Sequence, residues 1–161
     1  MITVRRLVPD DWEVFRDLLL ECLLAAPYAA VLTYEEAVQR TEAQWRNKFE
    51  DRVLFVALLD GVPVGTAGGM FFDEDPTLPE LISMWVSPEA RGTGASDRLV
   101  EQVLAWATGE GHPRMGLWVL DGNVPAEKLY LRHGFARTGR RKAMPRDESL
   151  IEVEMLISLD A

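Results

Sequence analysis

Two stretches of the chain hold residues whose types and spacing suit chemistry. The first is Ser87-Pro88-Glu89-Ala90-Arg91-Gly92-Thr93-Gly94-Ala95-Ser96, an apolar strand pattern that passes through a tight glycine turn directly into a helical pattern. A helix start leaves about four amide N–H groups without acceptors and carries partial positive charge. Glycine lets those amides close on an anion with no Cβ in the way. A diphosphate bound there needs no basic side chain. The same two glycines also suit a strand–helix turn made for packing alone. The three spaced glycines of a Rossmann turn and the Lys-Ser/Thr of a P-loop are both missing. The second stretch holds Asn123, Ala126, Leu129, Tyr130, His133 and Gly134. On a helix Ala126, Tyr130 and His133 fall near one face. That face serves either a site or a core, with Tyr130 as a packed aromatic, Asn123 as a cap and His133 as a dipole partner.

These stretches need elements to position them. Residues 3–7 read as a short edge strand. A helix follows from Asp10, with Trp12, Phe15, Leu18, Leu19, Cys22 and Leu23 at helical spacing. Ala25-Ala26-Pro27-Tyr28 breaks it, and one further helix is expected over Tyr34 to Phe49. Residues 53–59 and 62–72 read as strands around an Asp60-Gly61 hairpin turn, with Gly65, Gly68 and Gly69 as weak points or bulges. Residues 73–79 are expected as a loop, and 80–86 as a strand. The helix after the glycine turn has Leu99, Val100, Val103, Leu104 and Ala107 on its apolar side. Residues 115–120 make the next strand, the Tyr130 helix ends at Gly134, and 135–144 with 150–159 make a final strand pair. The order βααβββαβαββ implies an α+β fold, a mixed sheet in three layers with helices on both faces.

At 161 residues the chain fits a single domain, 1–161, with a core large enough to need no staples. Composition is that of an ordinary globular protein, 48% hydrophobic and 27% charged, which excludes disorder and fibrous architectures. No apolar run is long enough to span a membrane, and no signal peptide is apparent. A single cysteine, Cys22, forms no internal disulfide, and no Cys/His cluster has metal spacing; a cytoplasmic protein without a metal is expected. The net charge of -9 argues against a nucleic-acid partner. It is uneven: residues 1–80 balance to -8 and residues 81–161 to -1, and the seven charged residues from Lys128 to Arg146 are all basic. An anionic cofactor toward the second half and a cationic substrate toward the first would suit that split, as would a merely solvated surface.

Together, in this order and spacing, the two stretches resemble the GNAT superfamily of acetyl-CoA-dependent N-acetyltransferases, over nearly the whole chain. Residues 84–107 (MWVSPEARGTGASDRLVEQVLAWA) look like the family's acetyl-CoA-binding strand, loop and helix; residues 117–140 (LWVLDGNVPAEKLYLRHGFARTGR) look like the unit that follows. The family's loop pattern falls on Glu89, Gly92 and Gly94, with Glu89 departing from its usual Gln or Arg. The resemblance implies that Arg91, Gly92, Thr93, Gly94 and Ala95 present amides to the pyrophosphate and that Ser96 adds a hydroxyl. It implies that Met84, Trp85 and Val86 pair their backbone with the pantetheine arm. Asn123 matches a cofactor-side Asn, and Tyr130 the Tyr that protonates the departing thiolate.

The implied reaction, direct attack of a primary amine on the thioester, has two proton problems. An alkyl amine of pKa ~10.4 is neutral in only about 1 molecule in 2,500 at pH 7. A carboxylate, directly or through water, can take its proton, and a phenol can supply one to the leaving sulfur. Tyr130 is the expected acid. Glu80, at the start of the strand before the glycine loop, is the expected base, with Ser83 orienting a water. Acceptor contacts are expected from the first helix–helix loop, Tyr28 included, and from the final hairpin near Arg141 and Met144. Two other functions fit the resemblance: acetylation of a protein N-terminus or lysine, and a non-catalytic acyl-CoA-binding module. A homodimer is compatible with the family.

Overall fold

The computed structural model describes residues 1–29 and 32–160. Its strands are β1 (Ile2–Arg6), β2 (Arg52–Leu59), β3 (Val62–Phe72), β4 (Asp75–Val86), β5 (Arg114–Leu120), β6 (Ala136–Met144) and β7 (Asp147–Ser158). Its helices are α1 (Trp12–Ala25), α2 (Tyr34–Val38), α3 (Glu42–Asn47), α4 (Ala95–Gly109) and α5 (Val124–Arg132). The strands form one seven-stranded sheet in the order β1-β2-β3-β4-β5-β7-β6, mixed because β4 and β5 run parallel while their other neighbours are antiparallel. Alternation along β2 sends its side chains to two cores. Val53, Phe55 and Ala57 join α4 and α5 on one face, and Leu54 and Val56 join α1, α2 and α3 on the other. The three-layer α+β reading is therefore the observed architecture. Asp60 (φ 49°) and Gly61 (φ 85°) both take the left-handed conformation that the β2–β3 hairpin requires.

Two expectations from sequence are corrected. The single helix over Tyr34 to Phe49 is two helices, because Thr41 leaves the helical conformation to cap α3. Its hydroxyl accepts from the Gln44 amide (3.2 Å) while the Gln44 side chain accepts from the Thr41 amide (2.9 Å). The expected loop over 73–79 is mostly strand: β4 begins at Asp75, and Phe71 stands opposite Pro79. Prolines are tolerated there because this part of β4 has no ladder to β5.

The glycines of β3 have a packing cause. A Cβ on Gly68 would lie 2.4 Å from the Val53 carbonyl oxygen, and one on Gly69 would lie 2.5 Å from the Trp106 ring of α4. The β3–β4 register slips between Thr66 and Gly68, and opposite that slip Ser83 takes φ +55°. Thr66 Oγ1 donates to the Ser83 carbonyl (2.8 Å) and holds this bulge in place.

Candidate active site

The pairing of β4 with β5 consists of Glu80 opposite Gly116 among the described residues. Beyond it the two strands diverge, and Ile82–Val86 of β4 have no strand partner on that side. The wedge opens into a cavity of about 530 Å³ whose walls include Glu80, Ser83, Met84, Trp118, Asn123 and Tyr130. The structure thus brings Glu80, Ser83, Met84, Asn123 and Tyr130 together, as the sequence reading expects.

Each wall residue has a local cause. Tyr130 projects from α5 and is only 6% exposed, its ring edge-on to Phe135 at 5.9 Å. No described residue hydrogen-bonds its hydroxyl, and Tyr130 is among the residues lining the cavity. Burial holds its phenol well above the usual range, so it stays protonated. Asn123 caps α5, its Oδ1 accepting from the Ala126 amide at 3.4 Å. Glu80 is half-buried; desolvation raises its carboxyl, the Lys142 ammonium counters, and the neighbouring Glu74 and Glu154 push it up further.

Beyond the end of β4 the chain enters the glycine turn. Gly92 (φ +81°) and Gly94 (φ +87°) take left-handed conformations, and a Cβ on either would meet nothing within 4 Å. Their requirement is therefore conformational, and their solvent side is open. The first helical bond of α4 runs from the Arg98 amide to the Gly94 carbonyl (3.1 Å), so the amides of Ala95, Ser96 and Asp97 precede the ladder. Thr93 turns its hydroxyl back to the Ala90 carbonyl. Arg91 bonds the Val86 carbonyl through Nε at 3.3 Å and lies 5.2 Å from the Trp85 ring. Open amides at a helix start, an unpartnered strand edge and a wedge-shaped cavity together fit the pyrophosphate, pantetheine arm and acyl group of acetyl-CoA.

Several placements are not visible in the sequence. Trp85 pairs its backbone with Thr66 of β3 and turns its indole toward α1, where Nε1 donates to Glu21 (3.2 Å). Buried Ser87 donates to the same Glu21 oxygen at 2.7 Å, so α1 anchors the end of β4. Asp97, in the first turn of α4, accepts from Arg132 Nη2 (2.8 Å) and contacts His133 Nε2 (2.7 Å). Burial acts to raise its carboxyl, and the bonds from His133 and Arg132 outweigh that and hold it low. This ties the glycine turn to the C-terminal end of α5 and neutralises the one acid in the first turn of α4. No local pattern announces such long-range partners. Tyr28 is 57% exposed and lines a smaller adjoining groove, away from Glu80. Arg141 pairs with Asp121 (2.9 Å), while Met144 does line the main cavity. Among the described residues no His/Cys/Asp/Glu group is arranged for a metal ion, and no helix is long and apolar enough to cross a membrane.

A family model described as "Acetyltransferase (GNAT) family" matches residues 12–135. An uncharacterised N-acetyltransferase of Mycobacterium tuberculosis is 36% identical over 90 residues, 56% of this chain and 56% of that protein. Another from Methanocaldococcus jannaschii is 25% identical over 137 residues, 83% of this chain and 60% of that protein. The matches thus span little more than half the length of these curated relatives. Among solved structures, a GNAT-family acetyltransferase from Streptococcus pneumoniae superposes with a TM-score of 0.79 at 16% identity, covering 99% of this chain and 100% of that one. A phosphinothricin acetyltransferase of the GNAT superfamily from Sinorhizobium meliloti, solved with acetyl-CoA, superposes with a TM-score of 0.77 at 24% identity, covering 98% of this chain and 88% of that one.

Proposed function

The chain belongs to the GNAT acetyltransferase family, and from that premise we propose that it transfers an acetyl group from acetyl-CoA to a primary amine by direct attack. Acetyl-CoA, when bound, supplies an activated acyl carbon and a thiolate leaving group. The chain's residues do the rest. Amides of Gly92 and Gly94–Ser96 hold the diphosphate, helped by the positive end of α4; the Thr93 amide, expected from sequence to join them, donates instead to the Ala90 carbonyl (3.4 Å). The free edge of β4 at Met84–Val86 pairs with the amide-bearing arm. Glu80 takes the proton of the incoming ammonium, directly or through a water held near Ser83. As the N–C bond forms and the C–S bond breaks, Tyr130 gives its hydroxyl proton to the departing sulfur, and the second proton shed by the nitrogen as it becomes an amide restores the phenol.

One observation carries this reading. A buried phenol without a hydrogen-bond partner among the described residues and a half-buried carboxylate line the same cavity, and the strand that forms one of its walls leads through the glycine turn into the start of α4. The test combines calorimetry with thiol release. Acetyl-CoA is expected to bind, and Tyr130→Phe to lower kcat by ~10²–10⁴-fold while leaving acetyl-CoA affinity nearly unchanged. Absence of acetyl-CoA binding overturns the whole reading; an unchanged kcat overturns the role of Tyr130.

A further inference from the structure

The sheet register places a set of charged and aromatic side chains on one face, away from α4 and α5. Glu80 stands opposite Gly116, Trp118 opposite Glu154, and Glu152 opposite Lys142. Because positions two apart share a face, Glu80, Trp118, Glu152 and Lys142 all project from the same side. Leu117, Val119, Val153 and Met155 occupy the other side, in the core with α4 and α5. An acceptor entering from the open face therefore meets Glu80 at the closed end of the wedge and Lys142 across Trp118.

Lys142 differs from its basic neighbours. Arg137 bonds Glu127 and Asp121, Arg140 bonds Glu154 (2.9 Å), and Arg141 bonds Asp121 (2.9 Å). Lys142 forms no ion pair among the described residues; its ammonium rests 4.2 Å from the centre of the Trp118 ring. It is the one basic residue among those lining the main cavity. Lys142 is exposed, so its charge sits at the rim of the cavity over a ring that Arg140 also approaches, at 5.5 Å. For an enzyme of amines this placement is a handicap. The acceptor arrives as a cation, which Glu74, Glu80 and Glu152 of the cavity suit, while Lys142 is the one charge there that opposes it. The handicap becomes an asset only when the acceptor brings a negative group of its own.

We propose that the acceptor is an amine that also carries an anionic group, such as a carboxylate or phosphonate, and that Lys142 on the Trp118 ring receives that group while Glu80 receives the amine. The inference rests on the acetyltransferase reading above and narrows its substrate class to amino acids and related zwitterions. Lys142 is then a specificity-determining residue, distinct from the groups that move protons.

The experiment measures kcat/KM for a panel of α- and ω-amino acids, each beside its decarboxylated amine and the diamine of matching length, with acetyl-CoA binding measured on the same preparation. The parent is expected to favour the anion-bearing member of at least one set by about 10-fold or more. Lys142→Gln is expected to remove that preference, read as the ratio within each set because the variant also withdraws a charge that favours ionised Glu80 and so shifts every member alike, and Lys142→Arg to keep part of it. Where turnover is slow, calorimetric binding of the same compounds to the CoA-saturated protein gives the same ratio. A parent that favours the diamine or the plain amine, or a Lys142→Gln variant with an unaltered ratio, overturns the inference and leaves the acetyltransferase reading standing. Failure to bind acetyl-CoA overturns both.

Discussion

Glu80 sits where two demands oppose each other: a base must be ionised, yet desolvation at the closed end of the wedge and the nearby Glu74 and Glu154 favour its neutral form. The folded chain therefore keeps this proton to higher pH than the unfolded chain does. Its contribution to stability is complete below the ordinary carboxylate range and is lost as pH rises through the raised value. Glu80→Gln is accordingly expected to raise Tm at neutral pH and leave it nearly unchanged in acid, a difference that thermal melts at two pH values resolve. The same variant is expected to lower kcat/KM by ~10²–10⁴-fold at neutral pH and to abolish the acid limb of the pH–rate profile. If that limb persists, another group is the base. Glu80, Tyr130 and Asn123 could be singled out in the sequence as candidates because each sits at a marked place, a strand start, a helix face or a cap, and the structure sets all three around one cavity. Glu21, Trp118 and Lys142 are not, since their roles arise only when α1 meets β4 and when β6 and β7 come into register.

Among the elements, the two kinds of glycine separate stability from binding. Gly68→Ala puts a methyl against the Val53 carbonyl, where backbone cannot yield, and is expected to cost about 1–3 kcal/mol in denaturant melts. Gly94→Ala meets no atom and strains only the left-handed backbone, at a cost of about 1 kcal/mol. Its larger effect is expected in acetyl-CoA affinity, because relaxing that strain turns the leading amides of α4 away from the anion. Calorimetry on both variants distinguishes the two outcomes; equal losses of affinity would remove the glycine turn from the binding site. Element type and order were legible from periodicity and turn chemistry. The break between α2 and α3 was missed because an amphipathic pattern crosses Thr41 without interruption, and only the reciprocal bonds with Gln44 reveal a cap. The early start of β4 was missed because Pro76 and Pro79 read as loop where the strand lacks a second neighbour.

At the scale of the molecule, the two faces of the sheet would divide the labour in the proposed reaction: α4 and α5 bring the glycine turn and Tyr130 from one side, and the open face offers Trp118 and Lys142 from the other. The basic run of the second half, which from sequence suggests an anion-binding surface, is largely spent on internal pairs with Glu127, Asp121 and Glu154. The proposed anion site would therefore depend on backbone amides. Coenzyme A that binds the folded chain alone is expected to stabilise it by about 2.7 kcal/mol at 100 times its Kd, read as a concentration-dependent rise in Tm. The single rung between Glu80 and Gly116 has a last consequence. Beyond that rung the β4 amides facing β5 have no strand partner among the described residues, so they should trade their hydrogens for deuterium quickly in the empty enzyme. A bound pantetheine arm would shield them as a temporary eighth strand, with no rearrangement of the chain, making isotope uptake along 82–86 a direct report of occupancy.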